Sequence, residues 1–180
     1  MTLVYGSVID GRRISIKTAT LPDGRPIVQP GGVGGRFKRG QTWQNGGVDA
    51  TMASSGDHRG LPEWVEFTWQ EPSYPGLKSA DFPDRESFAR AVDEKFSKLE
   101  LKRYRLEIKR RVPQAVVDEV IASKRVAQPG KVANKTLWIY IFWTPDGMKM
   151  RWAMRDHAAG EAFGPIVREG GDDLDRYNLK

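Results

Sequence analysis

The sequence predicts an α+β fold, a mostly antiparallel sheet of about five to seven strands with two helices packed on one face. Three observations carry that reading. Several short segments alternate apolar and polar residues with a period of two. Two others place apolar residues at helical spacing. The order of segments is strands, loop, strand, helix, strand, helix, hairpin, which is not the strict alternation of a parallel α/β protein. The 180 residues fit a single domain, 1–180, and a chain of that length can bury a sizeable core without cross-links.

Each element has its own justification. Residues 3–9 and 12–20 read as a hairpin, because Asp10-Gly11 is a turn signal and Ile14 and Ile16 alternate with polar neighbours. Residues 21–60 form a Gly-rich loop region punctuated by Pro22, Pro26, Pro30 and several glycine pairs, with short strands expected at 27–28 and 41–43. Leu61 to Glu71 is a strand with Val65, Phe67 and Trp69 on one face and Trp64, Glu66, Thr68 and Gln70 on the other. Asp84 caps a helix whose apolar positions are Phe88, Val92, Phe96 and Leu99.

A strand over 102–112 follows, with Tyr104, Leu106 and Ile108 on its apolar side. Pro113 then suits the first turn of a helix over 113–125 striped by Val116, Val117, Val120 and Ile121. The run 136–143 is apolar throughout and rich in β-branched and aromatic residues, as in a central strand covered on both faces. Thr144-Pro145-Asp146-Gly147 turns the chain into 148–155, where Met148, Met150, Trp152 and Met154 face inward. Residues 156–180 read as a polar tail lying loosely over the domain.

Composition excludes much chemistry. With no Cys there is no disulfide, thiolate zinc site, iron–sulfur cluster or cysteine nucleophile, and two histidines cannot make a three-histidine metal site. No cofactor is expected. Gly35 and Gly40 have phosphate-loop spacing, but Gln41 stands where the phosphate-contacting lysine belongs. His58 and His157 each follow an aspartate, and sequence neighbours point apart, so neither pair makes a catalytic dyad. A hydrolase using His157 with a carboxylate ranks last among the readings. No segment has the run of apolar residues a membrane span needs. The amino end lacks signal-peptide features, so a cytoplasmic location is expected, or a periplasmic one if a leader precedes the chain.

The formal charge of +6 is unevenly spread, for residues 101–155 hold thirteen basic and four acidic groups. Arg103, Arg105, Lys109 and Arg111 lie on the outward face of one strand, and Lys149 and Arg151 on that of another. If the sheet brings the two together they form a basic surface for an acidic partner. The same residues also read as a solvated face partly neutralised by Glu66 and Glu107, or as edge charges that discourage aggregation. In the Gly-rich loop, Arg36, Lys38 and Arg39 read as partner contacts or as a plain connector. Trp43 and Trp64 are the aromatics that fall outside the apolar faces, and both are candidate interface anchors.

Four motifs occur in order: the strand ending at Asp10-Gly11, the run Gly60-Leu61-Pro62-Glu63-Trp64-Val65-Glu66-Phe67-Thr68-Trp69, the strand and Pro-started helix from Ile108 to Ile121, and Pro145-Asp146-Gly147 leading into Met148, Met150 and Trp152. Together they resemble a bacterial domain-of-unknown-function family of small proteins, often labelled lipoproteins and encoded beside type VI secretion effectors. The resemblance spans most of 3–155 and implies an immunity protein that binds and blocks a cognate toxin. It supplies no catalytic residues, and this chain lacks the family's leader and lipidated Cys. A non-enzymatic protein-binding module is therefore the leading expectation. A basic nucleic-acid-binding domain is the alternative.

Overall fold

The computed structural model describes residues 1–9, 12–34, 48–53, 60–73, 76–125, 134–158 and 164–177, with only the backbone described at 48–53 and 125. Nine strands run through these residues: β1 (Thr2–Ser7), β2 (Arg13–Thr20), β3 (Val33–Gly34), β4 (Val48–Ala53), β5 (Trp64–Gln70), β6 (Lys102–Glu107), β7 (Lys135–Thr144), β8 (Gly147–Asp156) and β9 (Ile166–Gly171). Two helices join them, α1 (Arg85–Ser97) and α2 (Gln114–Arg125). The class is α+β, as the sequence predicts.

The strands divide into two sheets. One is five-stranded in the order β4-β1-β7-β8-β9, and the other is four-stranded in the order β3-β2-β5-β6. All pairings are antiparallel except β1 with β7. The inner faces of the two sheets meet in one core. Leu3 and Tyr5 of β1, Leu137, Ile139, Ile141 and Trp143 of β7, and alternate residues of β8 pack against Ile14, Ile16, Val65, Phe67 and Leu106 of the other sheet. Trp143 sits at the centre, with its ring 5.6 Å from Phe67 and 6.1 Å from Trp69, both edge-on. These near-perpendicular arrangements suit the charge distribution of aromatic rings.

Several sequence readings change. β1 and β2 do not form a hairpin, because the chain passes from one sheet to the other between them. Asp10-Gly11 lies outside the described residues, and both edges of β1 are taken, one by β4 and the other by β7. The 21–60 region holds two strands, β3 and β4, and neither coincides with the expected short strands. Residues 27–28 are not a strand, and 41–43 lie outside the described residues. The tail is not loose. β9 pairs with β8, and Leu174 is buried against Val4, Tyr140, Phe142 and Ala153 on the outer face of the five-stranded sheet. β7 is thereby covered on both faces.

The helices sit where their apolar stripes direct them. α2 places Val116 and Val120 in the main core beside β7, and Ser123 Oγ accepts from the Lys135 amide at 2.8 Å. α1 begins at Asp84, whose carboxylate accepts from the Ser87 amide at 2.7 Å. No residue of α1 is fully buried. Its carboxyl end is tied to the outward side of β5 by Gln70, which donates to the Phe96 and Leu99 carbonyls at 2.9 and 3.0 Å. The strand expected over 102–112 ends at Glu107, and Lys109–Arg111 form a 3₁₀ turn that leads into α2.

Candidate functional site

The outward face of the four-stranded sheet collects the largest group of the sequence-derived site residues. Alternation along β5 sends Val65, Phe67 and Trp69 inward, and hence Trp64, Glu66 and Thr68 outward. The register opposes Trp64 to Glu107, Glu66 to Arg105, and Thr68 to Arg103, so the outward residues of β6 lie beside those of β5. The Arg105 guanidinium stacks on the Trp64 ring at 4.0 Å from its centroid, a cation–π contact.

Glu66 lies between two arginines. Its carboxylate accepts from Arg103 at 2.5 Å and stands 3.8 Å from Arg105. The Arg103 hydrogen bond and the positive charge of both arginines hold the Glu66 carboxyl below its ordinary pKa, and the same bond raises that of Arg103. One carboxylate thus serves two guanidiniums. Both remain open to solvent, with the Arg103 side chain 69% and the Arg105 side chain 53% exposed. On β2, Thr18 continues the polar row, its hydroxyl 2.7 Å from that of Thr68.

The remaining candidates lie elsewhere. Lys109 is exposed in the 3₁₀ turn after β6. Arg111, in the same turn, donates at 2.6 Å to Asp172, which also accepts from the Met150 amide. That pair fastens the turn to β8. Lys149 and Arg151 lie on β8, on the side of the five-stranded sheet that faces away from the main core. Arg151 bonds the Glu169 carboxylate at 2.9 Å and the Asp172 carbonyl at 3.3 Å. Arg111 and Arg151 thus meet at Asp172, but Arg103 and Arg105 point outward from the four-stranded sheet and Lys149 outward from the five-stranded one, so the two basic strands do not build one continuous face. Arg36, Lys38, Arg39 and Trp43 lie outside the described residues.

His157 is part-buried and its ring is engaged at both nitrogens. Nδ1 accepts from the Gly164 amide at 3.4 Å, and Nε2 is 2.8 Å from Thr136 Oγ1. With Nδ1 accepting, Nε2 carries the proton and donates to Thr136. This ring holds the start of the last segment against β7. Among the described residues, no three His, Asp or Glu side chains are grouped closely enough to hold a metal ion. No helix among them is long and apolar enough to cross a membrane.

The periodicity of the sequence missed one residue of this region. Tyr104 alternates inward with Leu106, yet it is 40% exposed, because β6 ends the sheet and no strand lies beyond it among the described residues. Position at a sheet edge is a property of strand order, and the residues of β6 alone do not encode it. Comparison with protein-family models, curated proteins and solved structures gave no match to this chain.

Proposed function

We propose that this chain is a non-enzymatic protein-binding module of the immunity type, which neutralises a cognate toxin by binding and occluding it. The observation that carries the proposal is the Trp64–Arg105–Glu66–Arg103 group on the outward face of the four-stranded sheet. Tryptophan and arginine are the residue types that dominate binding energy at interfaces. Here they are mounted on paired strands and ordered before any partner arrives, so less side-chain entropy is lost on binding. Glu66 and Glu107 share this face with the two arginines, but the guanidiniums of Arg103 and Arg105 are far more exposed than Glu66, so they are the charges that meet an acidic partner and speed encounter with it. The immunity role itself rests on the strand and turn motifs described in the sequence.

The same group disfavours the nucleic-acid reading. A base would stack on the face of Trp64, and Arg105 already occupies it. The deciding experiment co-expresses the chain with the toxin encoded beside it, and measures cell survival and the affinity of the purified pair. Association, rescue of growth, and a loss of about 2 kcal/mol or more for Trp64→Ala are expected. Absence of both association and rescue overturns the proposal. A salt-sensitive shift of labelled oligonucleotides would transfer the face to nucleic acid.

A further inference from the structure

We infer that the outer edge of β6, which pairs with no further strand among the described residues, takes an extended acidic segment of the partner as an added antiparallel strand, one with acidic residues at alternate positions and an apolar residue between them. The inference rests on the protein-binding reading and names its mode.

The backbone geometry comes first. The Ile108 amide donates to the Glu63 carbonyl at 2.9 Å, which fixes that pair as one of the hydrogen-bonded pairs of the β5–β6 ladder. In an antiparallel ladder, hydrogen-bonded and non-hydrogen-bonded pairs alternate. The register then makes Leu106 with Val65, Tyr104 with Phe67, and Lys102 with Trp69 the other hydrogen-bonded pairs. It follows that the N–H and C=O groups of Arg103 and Arg105 point away from β5, toward the open edge. No bulge interrupts the register.

The side chains then specify the occupant. A strand added antiparallel to β6 sets two of its residues directly opposite Arg103 and Arg105, on the same outward face, where cross-strand side chains interact. Glu66 supplies a single carboxylate, shared by both guanidiniums, from the β5 side, so an acidic residue opposite each arginine gives each its own carboxylate from the outer side. The residue between them turns inward beside Tyr104, whose ring is 40% exposed, and an apolar side chain there extends the core over it. A second copy of this chain is disfavoured, because pairing β6 with itself antiparallel places arginine opposite arginine. Such charges commonly protect edge strands, and here they also select the sign of the guest.

The test uses the intact protein and two short β-prone peptides, one centred on Glu-Val-Glu and the other on Lys-Val-Lys. On saturation with the acidic peptide, amide exchange at Arg103 and Arg105 should slow, while Tyr104 and Leu106, already bonded to β5, should not change. The lysine peptide should bind at least about tenfold more weakly, from lost attraction and added repulsion at two cross-strand positions. Arg103→Pro removes one edge N–H without touching the β5 ladder and should abolish protection. The double variant Arg103→Glu with Arg105→Glu, which keeps both backbone donors, should reverse the peptide preference and serves if the proline variant unfolds. Unchanged exchange at Arg103 and Arg105, equal affinity for the two peptides, or protection that appears only with dimerisation would each overturn the inference. If the peptides fail while Trp64→Ala still weakens the cognate toxin, strand addition is wrong and the protein-binding reading stands. If the peptides bind as expected and the toxin does not, the immunity reading fails separately.

Discussion

Gly171, at the end of β9, has a φ of +107°, a region that residues with a Cβ rarely adopt. A Cβ there would also lie 2.5 Å from the Met150 carbonyl oxygen and 2.8 Å from the Arg151 Cα, both backbone atoms that cannot swing aside. Gly171→Ala should therefore cost about 2–4 kcal/mol in urea unfolding, from backbone strain and the clash together. Glu71 makes a second residue-scale case. Burial would raise its pKa, but hydrogen bonds from Trp69, Lys102 and Arg12 and the charge of Lys102 outweigh it and hold it below the ordinary glutamate value. A carboxyl whose pKa is depressed in the folded state contributes stability above its unfolded pKa and loses it as the pH falls through the folded one. Glu71→Gln should thus lower stability near pH 7 by about 1 kcal/mol, limited by solvent screening of its cations. In unfolding measured against pH, the gap to the parent protein should close below about pH 4. A gap independent of pH would mean that lost packing, not charge, is responsible. At this scale the sequence is informative: strict alternation separates outward Trp64 from inward Trp69, Met148, Met150, Trp152 and Met154 of β8 follow the same rule into the core, and Asp84 is legible as a cap.

Elements were legible where a period and a punctuating residue agreed. The stripe of α1 and its cap place the helix within a residue of its observed start, and Pro113 does the same for α2. The β7–β8 hairpin is fixed by Pro145-Asp146-Gly147, with Gly147 at φ +99°. Thr144 steadies that turn, accepting from the Asp146 amide and donating to the Gly147 carbonyl. β6 was less legible at its end, because Ile108 and Val112 continue the apolar sequence of a strand while the backbone turns into 3₁₀ geometry and still buries both. α1 differs from α2 in having no fully buried residue, so its stability depends more on its termini. Asp84→Ala, which removes the hydrogen bond to Ser87, should cost about 1 kcal/mol locally. Hydrogen exchange should show faster opening across α1 with β7 unchanged, as expected of a unit that opens before the core does. Equal acceleration in β7 would instead show that α1 opens only with global unfolding.

The whole-molecule arrangement was the part the sequence concealed, since alternation assigns each side chain a face but does not say which sheet its strand joins. The consequence is plain for the basic strands: Arg103 and Lys149 both alternate outward, yet their faces lie on opposite sides of the core. Trp143 is the residue through which the two sheets communicate. It belongs to the central strand β7, is 1% exposed, and meets Tyr5 of its own sheet and Phe67 and Trp69 of the other. Trp143→Ala should cost about 3–5 kcal/mol, the range for truncating a large buried aromatic, which is a large share of the roughly 5–15 kcal/mol that stabilises a typical domain. Trp143→Phe should cost distinctly less, and for two reasons. It retains a ring for Phe67 and Trp69 to pack against, and it removes a buried indole N–H that has no hydrogen-bond acceptor among the described residues. Chemical denaturation followed by both far-ultraviolet circular dichroism and tryptophan fluorescence tests the ordering. If one aromatic cluster joins the sheets into a single cooperative unit, both probes should shift together in each variant. Separate transitions in Trp143→Ala would show that each sheet retains its own stability once the central ring is gone.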